Sequence, residues 1–315
     1  MSTFPTISIV IPTFNRPTEL IRAIQSVERQ TFEDFECIIV DDNSTLERDY
    51  SLTNLDSRFR IIRNEVNKGV SSARMVGYQL SRGKYVTQLD DDNVLFPWAF
   101  ERMIKLLELN PEVSGVSGLY LFSDHLKYTL LASEFVITPK RFENGITIYH
   151  DSVAAVRREI ISEWLLKSQL YRGLDAHLWI TYHMRHSHLI VNEPWGIYLE
   201  GAKNRLSLKK KKEVNNDIRE FIMDHKLIFE NQKCLPMDLQ LLNILFSERR
   251  TKSKDLKLIR NWLNERGYSN LSIFGIALSR LVNRFLIALR IQEPTPYVLF
   301  DLMSSDARKI LTRIP

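Results

Sequence analysis

Runs of apolar, mostly β-branched residues alternate along the first third of the chain with segments in which apolar residues recur every three or four positions. The runs predict strands, and the recurring positions predict helices with one buried face. The predicted strands lie at 7–12, 35–42, 59–64 and 84–90. The predicted helices begin at Pro17, Ser71 and Pro97.

The order of these elements, strand and helix in alternation, predicts an α/β fold. We expect a Rossmann-like, mainly parallel mixed sheet with helices on both faces. Two later strands at 113–122 and 188–199, with a helix at 175–185 between them, extend the sheet. Ligands of such sheets bind beyond the carboxyl ends of the strands, so the polar residues there are the candidates for chemistry.

Length and composition indicate a folded chain with two parts. The 315 residues are 44% hydrophobic and 26% charged, which is usual for a globular protein. We expect one large domain over 1–205 and a basic, mainly helical C-terminal region over 206–315. Residues 205–315 hold 21 Lys and Arg against 12 Asp and Glu, so the basic charge is concentrated there.

The basic region contains an apolar helical pattern from Leu271 to Ile291, interrupted by Arg280, Arg284 and Arg290. These charges argue against a membrane-spanning helix. One interpretation is a helix packed on the large domain, and the alternative is an interfacial helix that holds the protein against an anionic membrane. Because the N-terminus lacks a signal-peptide pattern, we expect a cytoplasmic location, with the inner face of the cell membrane as the alternative. No nucleic-acid-binding motif accompanies the basic charge, so we expect no nucleic-acid partner.

The cysteines and histidines give little indication of a metal site. Cys37 and Cys234 do not have metal-ligand spacing. Four histidines lie close together in the sequence and suggest zinc, but their spacing matches no common zinc site, which favours surface or core histidines. They are His177, His183, His186 and His188.

Acidic residues follow two predicted strands and precede a predicted helix. Asp41 and Asp42 end the second strand, Asp90 to Asp92 end the fourth, and Asp175 begins the helix at 175–185. Three adjacent carboxylates repel one another unless a cation lies among them, and Mg²⁺ or Mn²⁺ is the simplest candidate. The alternative interpretations are a solvated loop for the triplet, an Asx turn at Asp42 and a helix N-cap at Asp175.

Four segments in order resemble the inverting family-2 glycosyltransferases, which have the GT-A fold. A strand ends in a proline-aromatic-asparagine turn, SIVIPTFNR, and a second strand ends in the acidic turn VDDNS. NKGVSSAR and the strand GKYVTQLDDDN follow, and the resemblance extends over roughly residues 6–200. The family usually has aspartate where Asn93 stands, and Leu174 replaces a usual glutamate before Asp175.

The resemblance implies roles for particular residues. Asp92 would bind the metal, Mn²⁺ or Mg²⁺, Asp175 would be the catalytic base, and Asp42 would accept a hydrogen bond from the base of the nucleotide, expected to be uracil. Arg74 would lie beside the diphosphate or sugar, and Asp91 would face either the metal or the sugar. The residues that it places at the donor substrate are Pro12, Thr13, Arg16, Asp42, Arg74, Asp90 and Asp91.

The implied activity is transfer of one sugar from a nucleotide diphosphate-sugar to a hydroxyl of a glycan or lipid-linked acceptor, in bacterial surface-polysaccharide synthesis. Single-sugar addition is expected because the Gln-x-x-Arg-Trp signature of processive synthases is absent. One alternative is a non-catalytic relative that keeps the nucleotide pocket. A nucleotidyltransferase is the other, but IPTFNRP lacks the glycine-rich phosphate loop of that class.

Overall fold

The computed structural model describes residues 4–45, 55–122, 127–129, 135–139, 153–161, 182–183, 185–199 and 297–299. Eleven strands and three helices are defined within these ranges. In chain order they are β1 (Ile7–Thr13), α1 (Pro17–Glu28), β2 (Phe35–Asp41), β3 (Phe59–Arg63), α2 (Val70–Leu80), β4 (Tyr85–Gln88), β5 (Asn93–Leu95), α3 (Ala99–Leu109), β6 (Gly115–Phe122), β7 (Lys127–Thr129), β8 (Phe135–Ile137), β9 (Ala154–Arg157), β10 (His188–Tyr198) and β11 (Tyr297–Leu299).

The strands form one mixed sheet. Its order is β11-β7-β6-β9-β4-β1-β2-β3, and β10 pairs with β5, β6 and β8. Parallel pairs connect β3, β2, β1 and β4, and another connects β6 with β10. The remaining pairs of the described strands are antiparallel. The mixed sheet predicted from the sequence is therefore confirmed, with its main parallel part in β1 to β4.

Helices cover both faces of the parallel part. Ile7, Ile9 and Ile11 of β1 share one core cluster with the buried sides of α1 and α3. Val10 belongs instead to a cluster with Met75 of α2. Because successive side chains of a strand point to opposite faces, this division places α1 and α3 on one face and α2 on the other, as predicted.

Local sequence explains where α1 forms and how closely α2 packs. Pro17 begins α1, in a position where its missing N–H costs no helical hydrogen bond. In α2, Gly77 lies against β1, and a Cβ there would be 2.2 Å from Val10 Cγ1. Glycine costs a helix interior about 0.5–1 kcal/mol, and here the close packing of helix on strand offsets that cost.

A buried glutamate ties the amino ends of the parallel strands together. Glu36 of β2 accepts hydrogen bonds from Ser8 Oγ and the Arg82 N–H, each at 2.7 Å. Its second oxygen pairs with Arg60 at 3.0 Å and Arg82 at 2.9 Å. Burial raises the pKa of Glu36, but the hydrogen bonds from Ser8 and Arg82 outweigh burial and lower it below its usual value.

Several elements were not predicted from the sequence. β5, β7, β8 and β11 have three residues each and β9 has four, too few for periodicity to be informative. In the predicted helix at 175–185, Tyr182 and His183 are helical and Arg185 lies in a turn. The other residues of that helix lie outside the described ranges.

All described residues belong to one of two compact units, which comprises Met1–Pro139, Ile148–Lys203 and Tyr297–Pro315. The other unit, Lys140–Thr147 and Asn204–Pro296, lies outside the described ranges, as does the pattern from Leu271 to Ile291. The predicted boundary after residue 205 and the helical C-terminal region therefore stay predictions. No helix among the described residues is long and apolar enough to cross a bilayer.

We expect Glu36→Gln to lower the free energy of unfolding at pH 7 by about 2 kcal/mol, because the buried carboxylate accepts charge-assisted hydrogen bonds from Ser8, Arg60 and Arg82 that a neutral amide replaces only in part. Urea unfolding measures the loss. Glu108→Gln is the matched control: Glu108 pairs with Lys84 at 2.6 Å, but both side chains are about half exposed, so the loss should stay below about 1 kcal/mol. Equal losses in the two variants would contradict the role given to burial.

Candidate active site at the carboxyl ends of the strands

The predicted site residues of β1, β2 and β4 meet at one edge of the sheet. The N–H of Asp42 donates to the carbonyl of Thr13 at 2.9 Å, and the N–H of Leu89 donates to the carbonyl of Val10 at 3.0 Å. These contacts continue the parallel pairing of β1 with β2 and β4 to the ends of the strands. The aspartates that follow β2 and β4 therefore flank the end of β1.

Two of the three adjacent aspartates share one arginine. Arg16 Nη1 donates to Asp91 Oδ1 at 2.9 Å and to Asp92 Oδ2 at 3.0 Å. The hydroxyl of Thr13 donates to the other oxygen of Asp91 at 2.8 Å. Burial alone would lower the pKa of Arg16, but the charges of Asp91 and Asp92 outweigh it and raise that pKa.

The third aspartate pairs with a second arginine. Arg74 of α2 is buried, and its Nη2 donates to Asp90 Oδ1. The side chain of Asp90 is 27% exposed, against 6% for Asp91 and 8% for Asp92. Asp90 is therefore the carboxylate of the triplet that is most open to solvent.

Within the part of the chain that the structure describes, no group of three or more acidic, histidine or cysteine side chains is arranged to hold a metal ion. A divalent cation at the triplet would take one or two oxygens from Asp90 and Asp92 and its other ligands from a bound substrate. Mg²⁺ is commonly held in this way, by one or two carboxylates together with substrate phosphates. The donor set thus fits the predicted cation when it arrives with a diphosphate.

Asp42 is buried and organises the segment that leads into α2. Its carboxylate accepts from Asn64 Nδ2 at 2.7 Å and from the N–H groups of Lys68 at 3.1 Å and Gly69 at 2.7 Å. Gly69 has φ +89°, a conformation that favours glycine. The predicted contact between Asp42 and the base of the nucleotide stays a prediction. In that contact the base would donate to a carboxylate that already accepts hydrogen bonds from Asn64, Lys68 and Gly69.

Side-chain hydrogen bonds join the loops after β1 and β2. The N–H of Asn15 donates to Ser44 Oγ at 2.9 Å, and the N–H of Thr45 donates to Asn15 Oδ1 at 2.8 Å. Arg63 of β3 contacts Asp41 at 3.2 Å and also donates to the carbonyl of Ser44. The contacts of Asn15 with Ser44 and Thr45 hold the backbone directly before Arg16, which is the N-cap residue of α1.

Four further residues considered in the sequence analysis have different outcomes. Pro12 is buried within β1 opposite Val40, behind the end of the strand. Asp175, the predicted base, and Leu174 lie outside the described residues. Asn93 is fully buried, and its Oδ1 accepts from the N–H of Leu199 at 3.3 Å.

Phe14, between Thr13 and Asn15, was not proposed from the sequence as a separate site residue. It is 41% exposed, although it follows a wholly buried strand. An exposed aromatic ring beside the ends of β1 and β2 can stack on a planar base. The sequence feature that could have identified Phe14 is its place as the aromatic residue of the turn in SIVIPTFNR.

The described histidines support the structural interpretation. His188 is buried, with its Nε2 2.6 Å from Ser117 Oγ and its Nδ1 3.0 Å from the Tyr182 hydroxyl. His183 is also buried, and the two imidazole centroids are 5.3 Å apart. These two are core histidines at the amino ends of β6 and β10, and His177 lies outside the described residues.

Residues 8–165 match the model of the family described as glycosyl transferase family 2. The chain belongs to this family. A relative from Campylobacter jejuni, named GalNAc(5)-diNAcBac-PP-undecaprenol beta-1,3-glucosyltransferase, is 35% identical over 82% of this chain and 85% of its own length. The Escherichia coli protein named putative colanic acid biosynthesis glycosyl transferase WcaA is 42% identical over 31% of this chain and 36% of its own.

The family-2 chain is also similar in fold to a solved structure. Staphylococcus aureus TarS 1-349 in complex with UDP-GlcNAc matches with a TM-score of 0.53 at 13% identity, over 91% of this chain and 76% of that one. At this identity the likeness concerns the fold, and it agrees with the GT-A fold predicted from the sequence. The chain spans 26% to 64% of the length of four curated relatives, including WcaA.

Asp91 should make stability depend on pH. Burial raises the pKa of Asp91 to about 6, although Arg16 and Thr13 act to lower it. Because the folded pKa exceeds the unfolded value, the proton stabilises the fold below about pH 4, and this stabilisation is lost as pH rises through about 6.

Urea unfolding of wild type and Asp91→Asn between pH 4.5 and 7.5, with EDTA, measures this effect. Relative to the variant, wild type should lose about 2 kcal/mol over the range. Asp56→Asn is the control, because a hydrogen bond from Arg58 lowers the pKa of Asp56 and the sign is opposite. Parallel pH profiles for wild type and Asp91→Asn would exclude a raised Asp91 pKa.

Proposed function

We propose that this chain is an inverting glycosyltransferase that uses a divalent cation to move one sugar from a UDP-sugar to a hydroxyl of a glycan or lipid-linked acceptor. The observation that carries the proposal is the arrangement of Asp90, Asp91 and Asp92 with Arg16 and Arg74 at the carboxyl ends of the strands. Carboxylates for a cation and guanidinium groups for phosphate lie together there, which is what a diphosphate substrate requires.

The donor's diphosphate would lie against the two arginines. A guanidinium group can donate two parallel hydrogen bonds to a phosphate, and Arg74 is held in place by burial and by Asp90. The nucleotide base would lie at the loops after β1 and β2, where Phe14 offers an exposed ring and Asp42 a carboxylate. Uridine is favoured because the TarS structures of similar fold contain UDP-GlcNAc or UDP.

Asp92, together with Asp90, would hold Mn²⁺ or Mg²⁺. When bound, the cation would stabilise the charge that develops on the leaving diphosphate. Asp91 is the most buried of the three and is engaged by Thr13 and Arg16, so its part is to position Arg16 and Asp92.

Asp175 would be the general base. The acceptor oxygen forms a bond to the anomeric carbon as the bond from that carbon to the diphosphate breaks. The proton of the acceptor hydroxyl passes to the Asp175 carboxylate, and the nucleoside diphosphate leaves. Attack opposite the leaving group inverts the anomeric configuration.

A lipid-linked glycan is the acceptor class that we favour, in synthesis of a bacterial polysaccharide or glycolipid. The support is the name of the Campylobacter relative, which refers to a glycan linked to PP-undecaprenol. The excess of basic residues in 205–315 would suit contact with the anionic membrane that carries such an acceptor.

Thermal unfolding with a panel of UDP-sugars and a GDP-sugar control tests donor and metal together. We expect one UDP-sugar to raise the melting temperature only when Mn²⁺ is present, and Asp92→Ala to abolish the increase because the cation loses its ligand. Asp56→Ala removes a carboxylate of an exposed pair elsewhere and should keep it. If no donor stabilises wild type, the proposed donor site is wrong, whereas stabilisation without hydrolysis or transfer of any donor would favour the non-catalytic relative that keeps the nucleotide pocket.

Asp175→Asn tests the base. A general base contributes about 10²–10⁴-fold, so transfer should fall by that factor while the UDP-sugar still raises the melting temperature. A radiolabelled transfer assay with the donor identified above measures the loss. Unchanged turnover would remove Asp175 from the mechanism.

A further inference from the structure

We propose that Arg16 is a built-in counter-ion: it pairs with Asp92, the carboxylate that would hold the divalent cation, and it leaves when a diphosphate arrives with the metal. The departure of Arg16 on diphosphate binding rests on the proposed function. The counter-ion role itself rests on the position of one nitrogen atom. Arg16 Nη1 lies 2.9 Å from Asp91 Oδ1 and 3.0 Å from Asp92 Oδ2.

Burial makes this counter-ion necessary. The side chains of Asp91 and Asp92 are less than 10% exposed, so water screens their mutual repulsion poorly. The carboxylates of the triplet number three, and Arg16 and Arg74 supply two positive charges. With both arginines in place the cluster carries one negative charge, and without Arg16 it carries two.

Arg16 and a divalent cation compete for the same oxygen. A Mg²⁺ ion about 2.1 Å from Asp92 Oδ2 would lie no more than about 5 Å from Arg16 Nη1, since that nitrogen contacts the same oxygen. Two positive groups at that distance repel strongly at a buried site. The metal alone should therefore bind weakly while Arg16 stays in place.

The surroundings of Arg16 allow its side chain to move while its backbone stays fixed. The residue is the N-cap of α1, between Pro17 and Asn15, and Asn15 is tied to Ser44 and Thr45. The Arg16 side chain is 15% exposed, so part of it reaches solvent. Rotation about side-chain bonds would carry it from the two carboxylates to a phosphate of the donor.

A diphosphate gives Arg16 a new anionic partner and gives the cation additional oxygen ligands. Binding of the nucleotide and of the cation is therefore coupled. The diphosphate draws the Arg16 guanidinium away from Asp92, and the cation binds Asp92 instead. Arg74 is more deeply buried and pairs with Asp90, so it remains as the fixed cation of the cluster.

Mn²⁺ binding without nucleotide tests the inference, measured by the electron paramagnetic resonance signal of free Mn²⁺. Arg16→Gln should bind Mn²⁺ about tenfold tighter than wild type, because the competing charge is gone. Arg16→Lys keeps the charge and should stay within about threefold of wild type. Arg102→Gln is the matched control, since Arg102 pairs with Glu193 away from the triplet, and its affinity should not change.

Melting temperature is the second readout and applies even if Arg16→Gln folds poorly. This variant should be less stable than Arg16→Lys in EDTA and should regain more stability from Mn²⁺ alone. The inference would be overturned if Arg16→Gln bound Mn²⁺ no more tightly than wild type and regained no more stability from it. If Arg16→Gln binds Mn²⁺ tightly but UDP with Mn²⁺ stabilises neither protein, the counter-ion role stands and the proposed donor fails.

Discussion

Two buried carboxylates that share one guanidinium nitrogen determine how this site is built. Asp91 and Asp92 follow β4, and Arg16 comes from the loop after β1, so their contact fixes the ends of two neighbouring strands relative to each other. Thr13 adds a hydrogen bond from β1 itself. Without a cation between them the two carboxylates would repel at a site with little water, and this requirement explains why charged residues of both signs are concentrated at one edge of the sheet.

The same edge contains a second, independent arrangement around Asp42. Its hydrogen bonds to Lys68 and Gly69 determine where α2 begins, and α2 in turn carries Arg74 to Asp90. A carboxylate that the sequence suggests as a ligand contact thus also has a structural task. Sites of this kind place binding groups on rigid elements, because a displaced phosphate ligand loses much of its interaction energy.

Opposite ends of the sheet use charge differently. At the amino ends, the buried Glu36 carboxylate accepts hydrogen bonds from Ser8 and from two arginines. At the carboxyl ends, the three aspartates pair with Arg16 and Arg74, and in the proposed exchange Arg16 would change its partner. A permanent ion pair stabilises the fold, and an exchangeable one prepares the protein for a charged substrate.

The sequence by itself determined the elements whose residues interact over short distances. The apolar runs of β1 and β2, Pro17 at the start of α1 and the Asp90–Asp92 triplet were all identifiable because strand and helix periods and a local acidic cluster are written in consecutive residues. The order of four such segments also indicated the family. Tertiary structure alone decided that Arg16, 75 residues before Asp91, pairs with Asp91 and Asp92, and that Asp42 is buried under the segment before α2. It also decided the short strands β5 and β9, which exist only through pairing with distant strands. Such contacts depend on how the sheet brings remote segments together, and no local pattern records that.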